Sequence, residues 1–357
     1  FFKGLKVVEL ASVLAGPAVG MFFAELGAEV IKIENARAGG DVTRSWKLPS
    51  EGPEQLSAYY CSVNYHKAVH LLDLQSPAAR EEVYAHLAQA DVVLSNFKPS
   101  SARKLGMDYA ALSRLNPRLI YGQITAFGEG EDLLAFDIVL QAEAGFLYMT
   151  GEPGGEPVRM PVALIDLLAA HQLKEGILLA LLQRERTGQG ALVTASLLES
   201  AIASLANQAS NWLMAGHLPE RMGCMHPNIA PYGDIFYAQD GKPLVLAIGN
   251  DQQFTRLCAC LGLEGLPRDE RFASNPARVR HREALRQALA PPFQKHTRSE
   301  WMQRFAEHGV PAGSIRNMAE VFERPAARAM VLEEVIDGQL TKRVKTVAFG
   351  VAGAAER

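Results

Sequence analysis

The chain has 357 residues, 48% of them apolar, and 36 Lys plus Arg against 39 Asp plus Glu give a formal net charge of -3. That length supports about two domains with real cores, so a disordered chain is excluded, and no basic field is available to draw a nucleic acid. The longest apolar runs, such as Ile177–Leu182, fall far short of the roughly 20 residues of a membrane span, so no membrane partner is expected either.

Phe1-Phe2-Lys3-Gly4-Leu5-Lys6 runs into a strand-like segment without an apolar signal core. Cys61, Cys224, Cys258 and Cys260 are too few for a disulfide scaffold, so a cytoplasmic location is expected. Val7–Leu10 reads as a strand, Pro17–Leu26 as a helix stopped by Gly27, and Glu29–Ile33 as a second strand ending at Glu34. Val69–Leu74, Asp91–Ser95 and Leu119–Thr125 follow, with a helix over Pro77–Gln89. Alternation of this kind marks an α/β fold, here a Rossmann-like domain with about five strands in mostly parallel order. Leu167–Arg186 has helical spacing and closes at Thr187-Gly188-Gln189-Gly190, and Leu197–Ala215 reads as a second long helix joining two lobes. Beyond Gly216, strand-like Asp234–Tyr237 and Leu244–Ile248 flank a turn at Asp240-Gly241, and helices run to about Ala327, the pattern of a smaller α+β domain. Cys258 and Cys260 lie within the apolar pattern of Phe254, Leu257 and Leu261, so they read as core residues and no metal is expected.

Two places invite chemistry. The first βα turn, Ala15-Gly16-Pro17-Ala18-Val19-Gly20 with Glu34 after the second strand, is laid out like a dinucleotide site but lacks the second glycine of G-x-G-x-x-G. Its proline also removes an N–H that a pyrophosphate would use. The turn therefore reads as a shaped loop lining a ligand cleft at the carboxyl ends of the strands. Asp166 follows Pro161-Val162-Ala163-Leu164-Ile165 and precedes the long helix. As an N-cap it would be ordinary. As chemistry, free N–H groups and the dipole of a helix start would keep its carboxylate charged and able to attack a carbonyl. The local sequence leaves both readings open.

Over nearly its whole length the chain resembles the family III CoA-transferases, the group that includes carnitine, bile-acid and formyl-CoA transferases. The matching blocks are Leu14-Ala15-Gly16-Pro17, Leu26 through Glu34, Gly40-Asp41-Val42-Thr43-Arg44, Leu72-Asp73-Leu74, Ala90-Asp91-Val92-Val93 and Asn96-Phe97-Lys98-Pro99. Further on come Asn116-Pro117-Arg118, Phe136-Asp137 with Gln141-Ala142, Arg186 through Gly190, His226-Pro227, Pro231-Tyr232-Gly233, Gly249-Asn250-Asp251 and Gly309 through Gly313. The resemblance places the family's nucleophilic aspartate on Asp166. It implies an enzyme that moves CoA from an acyl-CoA to a carboxylic acid through an aspartyl anhydride and an aspartyl-CoA thioester, with CoA as substrate and no resident cofactor. Val13, Leu14, Leu72, Gln75, Asn96 and Phe97 would line the CoA path, Arg37, Lys98 and Lys104 would face its phosphates, and Asp137 would join the site. It also implies an interlocked homodimer. The expected division is a large domain over 1–195, a linking helix over 196–222, a small domain over 223–327, and a segment 328–357 returning to the large domain.

Several departures bear on these expectations. Ala170 stands where relatives have glycine, 126–134 lacks a Gly-Pro and a basic residue, and Met225-His226-Pro227-Asn228 occupies the region of formyl-CoA transferase's four-glycine run. Oxalate is accordingly not the expected acceptor. A 2-methylacyl-CoA racemase is the nearest alternative, but its histidine before the aspartate is Phe136 here, which leaves proton exchange short of a base. His171, His226 and His308 read as structural. A silent CoA-binding protein is the third reading.

Overall fold

The computed structural model describes residues 1–128, 131 and 133–352. Two compact units emerge: Phe1–Phe146, Arg159–Leu218 and Ala329–Arg357 form one, and Leu147–Val158 with Pro219–Arg328 the other. The continuous run expected over 1–195 is thus interrupted, because 147–158 is held in the second unit: the Gly223 amide bonds the Gly151 carbonyl, and Arg221 donates to the carbonyls of Gly155 and Tyr148.

The first unit is built on one sheet. Its strands are β1 (Lys6–Glu9), β2 (Glu29–Asn35), β3 (Lys67–Leu72), β4 (Val92–Ser95), β5 (Ile120–Thr125) and β6 (Ala191–Ser196), in the order β3-β2-β1-β4-β5-β6. Every neighbouring pair is parallel. The order reverses direction between β1 and β4, the place where doubly wound sheets open a crevice. Val7, Val8, Val92, Val93 and Ile120 are fully or almost fully buried, as β-branched residues of a sheet covered on both faces should be. β6 was not anticipated; it is a short edge strand whose residues alternate between partly buried and exposed, too weak a pattern beside the glycines before it.

Among the described residues, the helices of this unit longer than four residues are α1 (Ala15–Glu25), α2 (Pro77–Gln89), α3 (Pro99–Leu105), α4 (Tyr109–Leu115), α5 (Asp137–Glu143), α6 (Leu164–Thr187), α7 (Leu197–Ala203) and α8 (Ala206–Ala215), and a single turn covers Ala58–Cys61. The long helix expected over Leu197–Ala215 is two: the Ser200 and Ser204 hydroxyls bond carbonyls one turn back, and Ala206 adopts φ 47. Such back-bonding weakens a helix and favours a break. α6 ends as its sequence predicts, with Gly188 left-handed at φ 71 and its amide on the Arg184 carbonyl. Along the sheet α6 rests on glycines; a Cβ at Gly122 of β5 would lie 2.9 Å from Ile177, and one at Gly176 would lie 2.5 Å from Val193. A hairpin, Val331–Ile336 with Gln339–Val344, completes the unit; the sequence reading found no pattern there. Gly353–Arg357, where the sequence alone suggests a frayed end, falls outside the described residues.

In the second unit Tyr232–Tyr237, Pro243–Ala247 and Ala312–Ser314 form an antiparallel sheet. Phe236, Phe293, Trp301 and Phe305 pack as an aromatic core beneath it. Cys258 is buried in that core and Cys260 half-buried. Among the described residues no helix is long and apolar enough to cross a membrane.

Gly190 joins α6 to β6 where a Cβ would come within 2.0 Å of the Leu119 carbonyl oxygen, a backbone atom with nowhere to go. Gly190→Ala is therefore expected to lower the unfolding free energy by about 2 kcal/mol or more, measured by urea denaturation. An unchanged midpoint would contradict this packing.

Candidate functional site

The loops at the carboxyl ends of β1, β4 and β5 enclose a cavity of about 380 Å³ lined by Val13, Leu14 and Ala15, by Asn96, Phe97 and Lys98, and by Phe136, Asp166 and Leu197. A second, of about 690 Å³, takes in Arg37, Asp41, Gln75, Phe97 and Lys104. Ser12, Phe97 and Ser101 belong to both, so the two adjoin along the β1–β4 crevice.

Asp166 is buried in the first turn of α6, three residues past the N-cap Ala163. It does not cap the helix. That role falls to Asp137, at the start of α5, whose Oδ1 accepts the amide N–H of Ile165 at 2.7 Å and that of Asp166 at 3.4 Å. Its Oδ2 accepts from Gln141, whose own Oε1 accepts the Met160 amide at 2.9 Å. Asp137 is thus buried structure behind Asp166, not a wall of either cavity. With the amides taken, the expectation that a free helix start keeps Asp166 charged is reversed. Burial, and after it the charge of Asp137, push the Asp166 carboxyl up to about 7.

The other expected residues divide. Asn96 lines the cavity, but its side-chain amide is spent on the turn after β1, accepting the Ser12 N–H at 3.1 Å and donating to the Ser12 carbonyl at 2.9 Å. Lys98 sits at the N-cap of α3 beside the first cavity, and Lys104, in the last turn of α3, beside the second. Arg37 is exposed and already paired, its Nε 2.8 Å from Asp73. Gln75 lines the second cavity, whereas Leu72 lines neither; its half-buried side chain packs with the cluster of Leu10, Ile31 and Val83. His171 is exposed on α6 and lines neither cavity. Part of the 126–134 departure, at residues 129, 130 and 132, lies outside the described residues.

Three groups escaped the sequence reading. Tyr59 is pushed up to about 12 by burial and then by the charges of Asp166, Asp137 and Asp41, so it stands close to Asp166 as a neutral phenol. Trp46 packs edge-on against both Tyr59 and Phe136, ring centroids 5.1 and 6.1 Å away, extending an aromatic wall. The only signal was the Tyr59-Tyr60 pair after Ser57; a single helical turn sends Tyr60 to Glu34 and Tyr59 toward Asp166. Glu34, placed like a ribose-binding acid, is instead buried under Arg44 at 2.7 Å and Tyr60 at 2.9 Å. The third group is a buried cluster of Glu9, Lys32, Asp41 and Lys67. Away from the crevice, His70, Glu82 and His86 bring metal-capable atoms within 4.8 Å of one another, with His70 already bonded to Glu82 at 3.2 Å.

The model described as CoA-transferase family III matches residues 2–356. The succinate–glutarate CoA-transferase of Agrobacterium fabrum is 39% identical over 96% of this chain and 88% of its own. The acetyl-CoA:oxalate CoA-transferase of Acetobacter aceti is 37% identical over 93% and 85%. A CaiB/BaiF family protein from Brucella suis, solved by crystallography, superposes with a TM-score of 0.87 at 39% identity, covering 99% of this chain and 93% of that one. Fold and sequence agree over nearly the whole length, and the chain belongs to CoA-transferase family III and is a transferase.

Proposed function

We propose that the enzyme transfers CoA between dicarboxylic acids by covalent catalysis on Asp166. The carrying observation is a buried carboxylate opening on the cavity that Val13, Leu14, Asn96, Phe97 and Lys98 line. The Asp166 carboxylate attacks the donor thioester carbonyl, forming a mixed anhydride and expelling CoA thiolate. The thiolate then attacks the aspartyl carbonyl of the anhydride, giving an aspartyl-CoA thioester and the free donor acid. The acceptor carboxylate displaces the thiolate from that thioester, and the thiolate returns to the new acyl group, restoring Asp166. Each step exchanges an oxygen or sulfur nucleophile at an acyl carbon, so positioning and oxyanion donors matter more than proton transfer. Those donors fall to the first turn of α1, whose Ala15 lines the cavity and whose leading amides have no helical partner. The first turn of α6 does not offer them, its Ile165 and Asp166 amides being held by Asp137.

Dicarboxylates follow from the relatives' names, which specify succinate, glutarate and oxalate. Oxalate, set aside on the missing glycine run, therefore belongs among the acids to be tried. CoA's phosphates reach the second cavity, beside Arg37 and Lys104. The apolar side chains that α6, α7 and α8 leave exposed, among them Leu179, Leu182, Ile202, Trp212, Leu213 and Met214, are covered by a partner chain in a homodimer. The cytoplasm fits its four unpaired cysteines.

Asp166→Ala is expected to lower transfer from succinyl-CoA to a panel of acids by about a thousandfold or more, and hydroxylamine should trap an adduct on Asp166 in the parent enzyme. Transfer retained in the variant would sink the nucleophile assignment. Since the carboxyl lies at about 7 and only its ionised form attacks, kcat/KM should fall roughly tenfold per unit below that pH and level off above it. Asp137→Asn removes the neighbouring charge and should move that limb to lower pH; a flat profile from pH 5 to 8 in the parent would contradict both. The same raised group binds its proton more tightly folded than unfolded, so its destabilising effect is absent near pH 4 and grows as pH rises to 7. Asp166→Asn should accordingly raise Tm at pH 8 and leave it unchanged at pH 4. Light scattering at micromolar concentration should give twice the chain mass, reduced by Leu213→Asp with Met214→Asp; a monomeric parent would overturn the dimer.

A further inference from the structure

We propose that the buried cluster of Glu9, Lys32, Asp41 and Lys67 is a positioning device that forces the turn between β1 and α1 into the shape the CoA site requires. The inference rests on the CoA-transfer reading and deepens it.

Lys32 Nζ lies 2.8 Å from Glu9 and 3.1 Å from Asp41, and Lys67 Nζ lies 2.8 Å from the other Glu9 oxygen, with all four side chains at most 1% exposed. Burying such a set is costly, and well-packed apolar side chains of the same volume would serve stability as well or better. What apolar groups would not do is hold backbone atoms, and this cluster holds the turn at three points. Lys32 donates to the Ala11 carbonyl at 3.0 Å, Asp41 accepts the Val13 amide at 3.1 Å, and Lys67 donates to the Pro17 carbonyl at 2.9 Å. Asp41 is itself braced by the Thr43 amide at 3.0 Å and hydroxyl at 2.8 Å.

Between those points Val13 has φ 72, a left-handed conformation that a β-branched side chain adopts only under compulsion. The strained residue is the one whose neighbours, Leu14 and Ala15, line the same cavity as Asp166. The cluster also fixes the approach of α1, since a Cβ at Gly20 would fall 1.9 Å from a Glu9 oxygen. Relaxation of Val13 to an extended conformation would swing the Leu14–Ala15 wall away from the nucleophile. Asp41 and Lys32 are thus positioning residues, acting through Val13.

The test is a double-mutant cycle of Asp41→Ala and Val13→Gly, with CoA binding by calorimetry and transfer kcat and KM measured on each folded protein. Asp41→Ala alone should lower kcat/KM by about tenfold or more, since small misplacements of a site wall carry such losses. Glycine adopts φ 72 without strain, so in the Val13→Gly background the loss on removing Asp41 should shrink to about threefold or less. An equal loss in both backgrounds would overturn the proposal, as a role in stability alone predicts no rescue. Should Asp41→Ala not fold, Asp41→Asn and Thr43→Val carry the same comparison. If the parent transfers no CoA yet the binding cycle is non-additive, the functional reading fails while the positioning role stands.

Discussion

The carboxylate of Asp137 on the Ile165 and Asp166 amides of α6 is the constraint from which the site follows. It ties the start of α6 to the start of α5, and through Gln141 it also fixes the Met160 amide in the segment that leads into the helix. A carboxylate beside an open helix start would be held firmly ionised. Here one anion consumes the amides and stands beside the other, and burial does the rest, leaving Asp166 at about 7. A carboxylate that gives up its proton only near neutrality is more basic than an ordinary one, and under the proposed covalent reading it would donate its electrons to an acyl carbon more readily. On that reading capping and reactivity are separated onto two residues, each shaping the other.

The position of that carboxylate depends on the sheet. With the order β3-β2-β1-β4-β5-β6 the crevice opens where the chain reverses between β1 and β4. The loops following those strands, through the Ser12–Asn96 pairing, close on each other as one wall. α6 reaches the crevice because Gly122 and Gly176 let it lie close on β5 and β6. A bulkier residue at either glycine would lift the helix and carry Asp166 with it.

How much of this the sequence disclosed varied with the range of the interaction. Local signals served well: Pro77–Gln89 is a helix as expected, Gly188 ends α6, and the strand cores of the first unit are where the valines and isoleucines stand. Asp166 could be singled out only through the family blocks around it, since its local setting fits a cap equally well. What stayed hidden were contacts between distant segments. Asp137 reaches the amides of residues 28 and 29 positions away, Tyr59 is aligned by a single turn of helix, and β6 has an edge strand's faint alternation. Leu72 sits in a block shared with the family, yet its neighbours Asp73, Leu74 and Gln75 line the cavity and it does not. Leu72 is the last residue of β3 and packs back on the core, whereas the loop that leaves the strand's carboxyl end is what borders the cavity.

Charges at the crevice divide by burial, and the division separates architecture from binding. Those of Glu9, Lys32, Asp41 and Lys67 are sealed from water, so breaking any one strands a partner in a low-dielectric interior and the geometry they impose is not negotiable. The pair of Arg37 with Asp73 is of the other kind: Arg37 is 67% exposed, and such a contact is worth at most about 1 kcal/mol. A phosphate group arriving from solvent can take the guanidinium from Asp73 at little cost and bind it bidentately, with Lys104 along the same cavity. Under the CoA-transfer reading, the rim thus keeps Arg37 on loan to a weak partner until the ligand's own charge replaces it, while the buried cluster beneath never exchanges its partners.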